Sequence, residues 1–62
     1  MNYLRSAVLQ YENRLIAEAL LRHNGNITQT SMDLGIQRTV LQRKIKRDID
    51  LSRLMASLRR RY

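Results

Sequence analysis

The chain has 62 residues, no cysteine, no proline, one histidine and a formal net charge of +7. A domain this short buries only part of its surface. Without thiols it has neither a disulfide nor a thiolate metal site to lean on, and one histidine does not make a zinc site. Stability must then come from close helix packing or from oligomerisation.

The charge is uneven. Residues 1–24 carry three basic side chains against two acidic ones, whereas residues 25–62 carry nine against three. Such segregation implies a polyanionic partner, nucleic acid before an anionic membrane surface. No apolar run approaches the roughly 18 residues of a membrane span, and no apolar core follows Met1 as in a signal peptide. A soluble, cytoplasmic protein is expected, with no membrane partner. No linker or internal repeat divides the chain, so residues 1–62 read as a single all-α domain. There is no GxxxxGK phosphate loop, no serine–histidine–acid set and no metal-ligand cluster. The expectation is a non-enzyme with no cofactor and no small-molecule ligand.

The first element, a helix over residues 3–23, shows Leu4, Val8, Tyr11, Leu15 and Ala19 at helical spacing. Ala7, Leu9, Ile16 and Leu20 widen this stripe to roughly 200 degrees, where one core needs only about 100 degrees. The surplus calls for a second partner, and the same helix of another copy suits it best. The expected homodimer interface comprises Leu4, Val8, Tyr11, Glu12, Leu15 and Ile16. Glu12 falls inside the apolar arc and, if buried, needs a cationic or hydrogen-bonding partner, for which Arg14 or Arg5 across the interface is a candidate. Leu15 and Ile16 also read as core residues, and Tyr11 as packing with its hydroxyl at the rim.

Asn24-Gly25 ends this helix, with Gly25 suited to the left-handed position and His23 in the last turn as a surface or capping residue. Asn26 then caps a short helix over residues 27–34, and Gln29 completes a capping-box pattern. Gly35 ends that helix, with Leu34 and Ile36 directed into the core and Met32 filling a gap. A third helix starts near Gln37 or Arg38 and runs to Arg47. Leu41 and Ile45 face the core, Val40 lies at the edge, and Thr39, Gln42, Arg43 and Lys46 lie opposite. Residues 37–47 hold five basic side chains and no acidic one. An ordinary solvated helix mixes signs. Two short helices joined by a Gly-containing turn form a helix-turn-helix over residues 26–47. A further short helix, capped by Asp50, is expected over residues 51–60, with Leu51, Leu54, Met55 and Leu58 on one face.

Gly25-Asn26-Ile27-Thr28, Leu34-Gly35-Ile36-Gln37-Arg38 and Leu41-Gln42-Arg43-Lys44-Ile45-Lys46, at this spacing, resemble the Fis-type helix-turn-helix. That motif occurs in the nucleoid protein Fis and in the C-terminal DNA-binding domain of NtrC-type, alternative-sigma-factor-dependent activators. Tyr11-Glu12-Asn13-Arg14-Leu15-Ile16 and Ala19-Leu20 look like the long helix preceding the motif in those activators. The resemblance implies a homodimer held by its N-terminal helices, with recognition helices in two major grooves of a roughly palindromic site. The chain departs from the family pattern in having Thr30-Ser31 for two small residues, Gln37 for Ser or Asn, and Val40 for Thr. It also continues through Asp48-Ile49-Asp50 where the family usually ends.

In a helix-turn-helix the start of the recognition helix meets base edges. Gln37, Arg38, Thr39, Gln42 and Arg43 are therefore the base-contact candidates, since Arg reads guanine and Gln reads adenine through paired hydrogen bonds. Asn26, Thr28 and Gln29, at a helix start that favours anions, are phosphate candidates together with Lys44, Lys46 and Arg47. Arg59, Arg60 and Arg61 read first as a solubilising tail and second as flanking phosphate contacts. The leading function is sequence-specific double-stranded DNA binding in an NtrC-type regulator. The alternatives are a free-standing, DNA-bending nucleoid protein like Fis and a protein-interaction or dimerisation module.

Overall fold

A computed structural model describes residues 3–59. Met1, Asn2, Arg60, Arg61 and Tyr62 lie outside the described residues, and with them the end of the expected last helix and two of the three tail arginines. Four helices follow in order: α1 (Tyr3–Arg22), α2 (Ile27–Leu34), α3 (Arg38–Arg47) and α4 (Ile49–Arg59). The fold class is all-α.

Each helix end has a specific cause. At the end of α1, Asn24 (φ 52°) and Gly25 (φ 80°) are both left-handed. The Gly25 N–H donates to the Leu20 carbonyl (2.9 Å) and the Asn24 N–H to that of Leu21 (3.3 Å). This pairing closes the orphan carbonyls of the last turn, with Asn24 rather than Gly25 in the first left-handed position. Gly25 is needed for a second reason, because a Cβ there would meet Leu58 Cβ at 3.2 Å. Asn26 caps α2: its Oδ1 accepts from the Gln29 N–H (3.1 Å), while the Asn26 N–H donates back to His23 O (3.0 Å). Gly35 (φ 70°) ends α2 with the same backbone pairing, its N–H on Met32 O and that of Ile36 on Ser31 O.

A single residue, Asp48, joins α3 to α4. Its Oδ1 accepts the Leu51 N–H (3.0 Å) and its Oδ2 accepts from Asn13 Nδ2 of α1 (2.8 Å). Asp48, not Asp50, is thus the cap of the last helix, which begins two residues earlier than its sequence suggests. Ser52 Oγ donates to the Ile45 carbonyl (2.7 Å), closing an acceptor at the end of α3.

The core is built by Ile16, Leu20, Leu41, Ile45, Leu51, Met55 and Leu58, with Ala17, Ile27, Leu34, Ile36 and Leu54 packed around it. α4 supplies three of these seven residues. Thr30 and Ser31 are buried, and their hydroxyls donate to Asn26 O (2.7 Å) and Thr28 O (2.8 Å). Thr30 and Ser31 therefore fill the place of the family's two small residues without leaving a buried hydroxyl unpaired.

Several apolar residues of α1 do not join this core. Every residue from Tyr3 to Glu12 is exposed, and the molecule measures 42 × 22 × 18 Å because the start of α1 projects beyond the other helices. Leu15, expected both in the core and at a dimer interface, is 38% exposed at the core's margin, and Tyr11 and Met32 are exposed. Ile16 is the reverse case. Expected both in the core and at a dimer interface, it is 4% exposed and belongs to the protomer's own core, on the part of α1 against which α2 and α4 pack.

Candidate nucleic-acid interface

The turn between α2 and α3 fixes the outward face of α3. Leu41 and Ile45 are buried one helical turn apart, so Thr39, Gln42, Arg43 and Lys46 stand on the opposite side. All four are exposed, as are Gln37, Arg38 and Arg47. Gln37 occupies the cap position of α3, yet its side chain makes no capping hydrogen bond. Its amide is left directed to solvent.

Arg38 lies at the margin of this face nearest α2, with a guanidinium nitrogen 3.5 Å from Thr28 Oγ1. That places the first turns of α2 and α3 side by side. Asn26, Thr28 and Gln29 are all exposed at that end of α2. Asn26 already accepts the Gln29 N–H, so capping and any contact with a ligand involve the same side chain.

Lys44 is placed elsewhere. It is half-buried on the flank of α3 that faces α1, and its Nζ is 3.4 Å from Glu12 Oε2. Glu12 thus has its cationic partner within the same chain, where Arg5 or Arg14 of a second copy was the candidate. Lys46 and Arg47, the other cationic phosphate candidates, are both exposed. Arg59 is the residue sequence reasoning undervalued. It lines the cleft between α3 and α4 together with Gln42 and Lys46. The recurrence of Ser52, Met55, Ala56 and Arg59 at helical spacing was the available signal.

No acidic side chain stands on α3 itself. Asp33 Oδ2 accepts from an Arg22 guanidinium nitrogen (2.7 Å) and lies 3.0 Å from His23 Nε2. The hydrogen bond from Arg22, then that with His23, holds its carboxyl below the ordinary aspartate range. Glu18 is paired with Arg14 (3.9 Å) and Asp48 with Asn13. Asp50 lines a cleft against α1 beside Gln10, Asn13 and Arg14. Among the described residues no ion pair engages Arg38, Arg43, Lys46, Arg47 or Arg59.

A projecting helix, a helix-turn-helix and an unpaired cationic face on its second helix define a DNA-binding regulatory module. The profile of the bacterial regulatory proteins of the Fis family matches residues 8–47, about two-thirds of the chain, and the protein belongs to that family. Neither a search of curated proteins nor one of solved structures found a match. The matched stretch takes in most of α1 and all of α2 and α3; α4 follows it. Such domains bind DNA and are generally non-enzymatic, and nothing shows a catalytic activity here. Among the described residues no His, Asp or Glu cluster could hold a metal ion, and no helix is long and apolar enough to cross a membrane.

Proposed function

We propose that the protein binds specific double-stranded DNA sites as a homodimer, as the DNA-binding domain of a cytoplasmic, NtrC-type transcriptional regulator. The observation that carries this reading is the outward face of α3, where Arg38, Thr39, Gln42, Arg43 and Lys46 are exposed without a carboxylate among them. Gln37, Arg38, Thr39, Gln42 and Arg43 read base edges in the major groove. Asn26, Thr28, Gln29, Lys46 and Arg47 set the register on phosphates.

Dimerisation is supported by the exposed apolar start of α1, with Leu4, Val8, Tyr11 and Leu15 on one stripe. A cleft of about 230 Å³ lined by Leu15, Ile16, Leu34 and Ile36 runs beside it, with Glu12 and Lys44 at its rim. An apolar side chain of a second α1 would fill it. Two copies then present two α3 helices to successive turns of one duplex, and a roughly palindromic site follows from the two-fold symmetry.

Site selection from random DNA, paired with a solution mass, tests this. The expected result is a palindromic consensus and a dimer mass. Arg38→Ala and Arg43→Ala each weaken specific binding by about 1–3 kcal/mol and relax the consensus at one position. A monomer that enriches no sequence would overturn the reading. Dimeric binding with a low ratio of specific to non-specific affinity would instead indicate a DNA-bending, architectural protein.

A further inference from the structure

We infer that α4 extends the DNA interface, and that Arg59 contacts a backbone phosphate beside the recognition helix. This rests on the reading that α3 enters the major groove. α4 lies beyond the residues matched by the family profile, so its contribution does not come with family membership.

Three observations converge on Arg59. First, a cleft of about 330 Å³ separates α3 from α4, and Gln42 and Lys46 on one side face Ser52, Ala56 and Arg59 on the other. Gln42 and Lys46 stand on the outward face of α3, so this cleft opens at the edge of the recognition surface. Second, Arg59 also borders the depression formed by Asn24, Gly25 and Asn26. It therefore joins the start of α2 to the middle of α3 across the end of α4. Third, among the described residues no carboxylate lines either depression. The five acidic residues are all accounted for elsewhere, four of them held by Arg22 and His23, Asn13, Lys44 or Arg14, and Asp50 on the α1 side of α4.

The occupant follows from charge and position. A recognition helix in a major groove is flanked by phosphates on both walls. An element packed against one side of α3 meets one of those walls. Lys46 and Arg59, facing each other across the cleft, present two cations there. Arg59 has no evident part in packing, because Leu51, Met55 and Leu58 are the side chains that α4 buries. A phosphate contact carries no base information, so it raises affinity for every sequence alike.

The test measures affinity of the full chain for a random-sequence duplex and for a duplex enriched by site selection, across a salt series. Arg59→Ala is expected to lower both affinities by the same factor and to make the slope of log affinity against log salt shallower by about one per protomer. Arg59→Lys restores the slope. Ala56→Glu, which places a carboxylate in the cleft, weakens binding to both duplexes. Arg53→Ala is the control, since it removes the same charge from the same helix but does not line the cleft. A slope unchanged in Arg59→Ala, or changed equally in Arg53→Ala, overturns the inference while leaving the role of α3 intact. A parent chain indifferent to both duplexes overturns the underlying reading as well.

Discussion

The two halves of α1 have similar apolar content and opposite fates. Ile16, Ala19 and Leu20 are buried, whereas Tyr3, Leu4, Val8, Leu9 and Tyr11 are exposed on the same helix. The difference lies in what the rest of the chain can reach. α2, α3 and α4 together contribute 29 residues, enough to cover one half of a 20-residue helix, whose length is about 30 Å. The covered half belongs to the protomer's fold. The uncovered half is an apolar surface that the described helices leave exposed.

The comparison breaks first at Leu20. It is fully buried, and Leu20→Ala should cost about 2–5 kcal/mol, most of the total for a chain of this length, on the order of 3–9 kcal/mol. Val8→Asp, twelve residues earlier on the same helix, should leave protomer stability within about 0.5 kcal/mol because Val8 is 50% exposed. It should instead abolish the proposed dimer. Denaturant unfolding at several protein concentrations, with a mass measurement, separates the two effects. Equal stability losses for both variants would mean that the halves of α1 are not distinct.

Gly25 tests the point where the covered half ends. Alanine there must adopt a φ near +80° and bring its Cβ to 3.2 Å from Leu58 Cβ. The expected cost of Gly25→Ala is about 1–3 kcal/mol, read by thermal or denaturant unfolding. Gly35 makes the contrast. Its φ is +70°, but a Cβ would meet nothing within 4 Å, so Gly35→Ala should lose less. If the two variants were equally unstable, the approach of α4 to the end of α1 would contribute nothing.

Much of this was legible in the sequence for identifiable reasons. The helix starting after Asn26, the left-handed end at Gly35 and the inward pair Leu41 and Ile45 follow from local chemistry, which needs only neighbours in the chain. The outward face of α3 follows from the same pair. The misplaced features are set by distant contacts. Asp48 caps α4 while bonding Asn13, 35 residues away, and no local pattern distinguishes it from Asp50. Glu12 meets Lys44 across 32 residues, a pairing that no local pattern announces. Ile16 and Leu15 are adjacent in sequence and both apolar. Only the packing of α2 and α4 against α1 decides that the first is buried and the second is left at the margin. Arg59 was obscured for a related reason, since a run of three arginines at residues 59–61 reads as one feature, although the first of them ends a packed helix.

The smallest effect lies at the anchored end of α1, where Arg22 and His23 hold Asp33 of α2. Because these contacts lower the carboxyl's pKa in the folded state, they favour folding when Asp33 is ionised. Their contribution is full above the ordinary aspartate pKa and is lost as pH falls through the lowered folded value. The group is exposed to solvent, so screening keeps the effect small. Asp33→Asn should therefore be slightly less stable than the parent at neutral pH, and the gap should close in acid, where the parent's carboxyl is protonated. Raising salt at neutral pH should narrow the same gap. The measurement is denaturant unfolding across an acid pH series at low and high salt. Parallel curves for parent and variant would show that the anchored end of α1 is held by Ala19 and Leu20 alone, and that the ion pairs add nothing to the difference between its two halves.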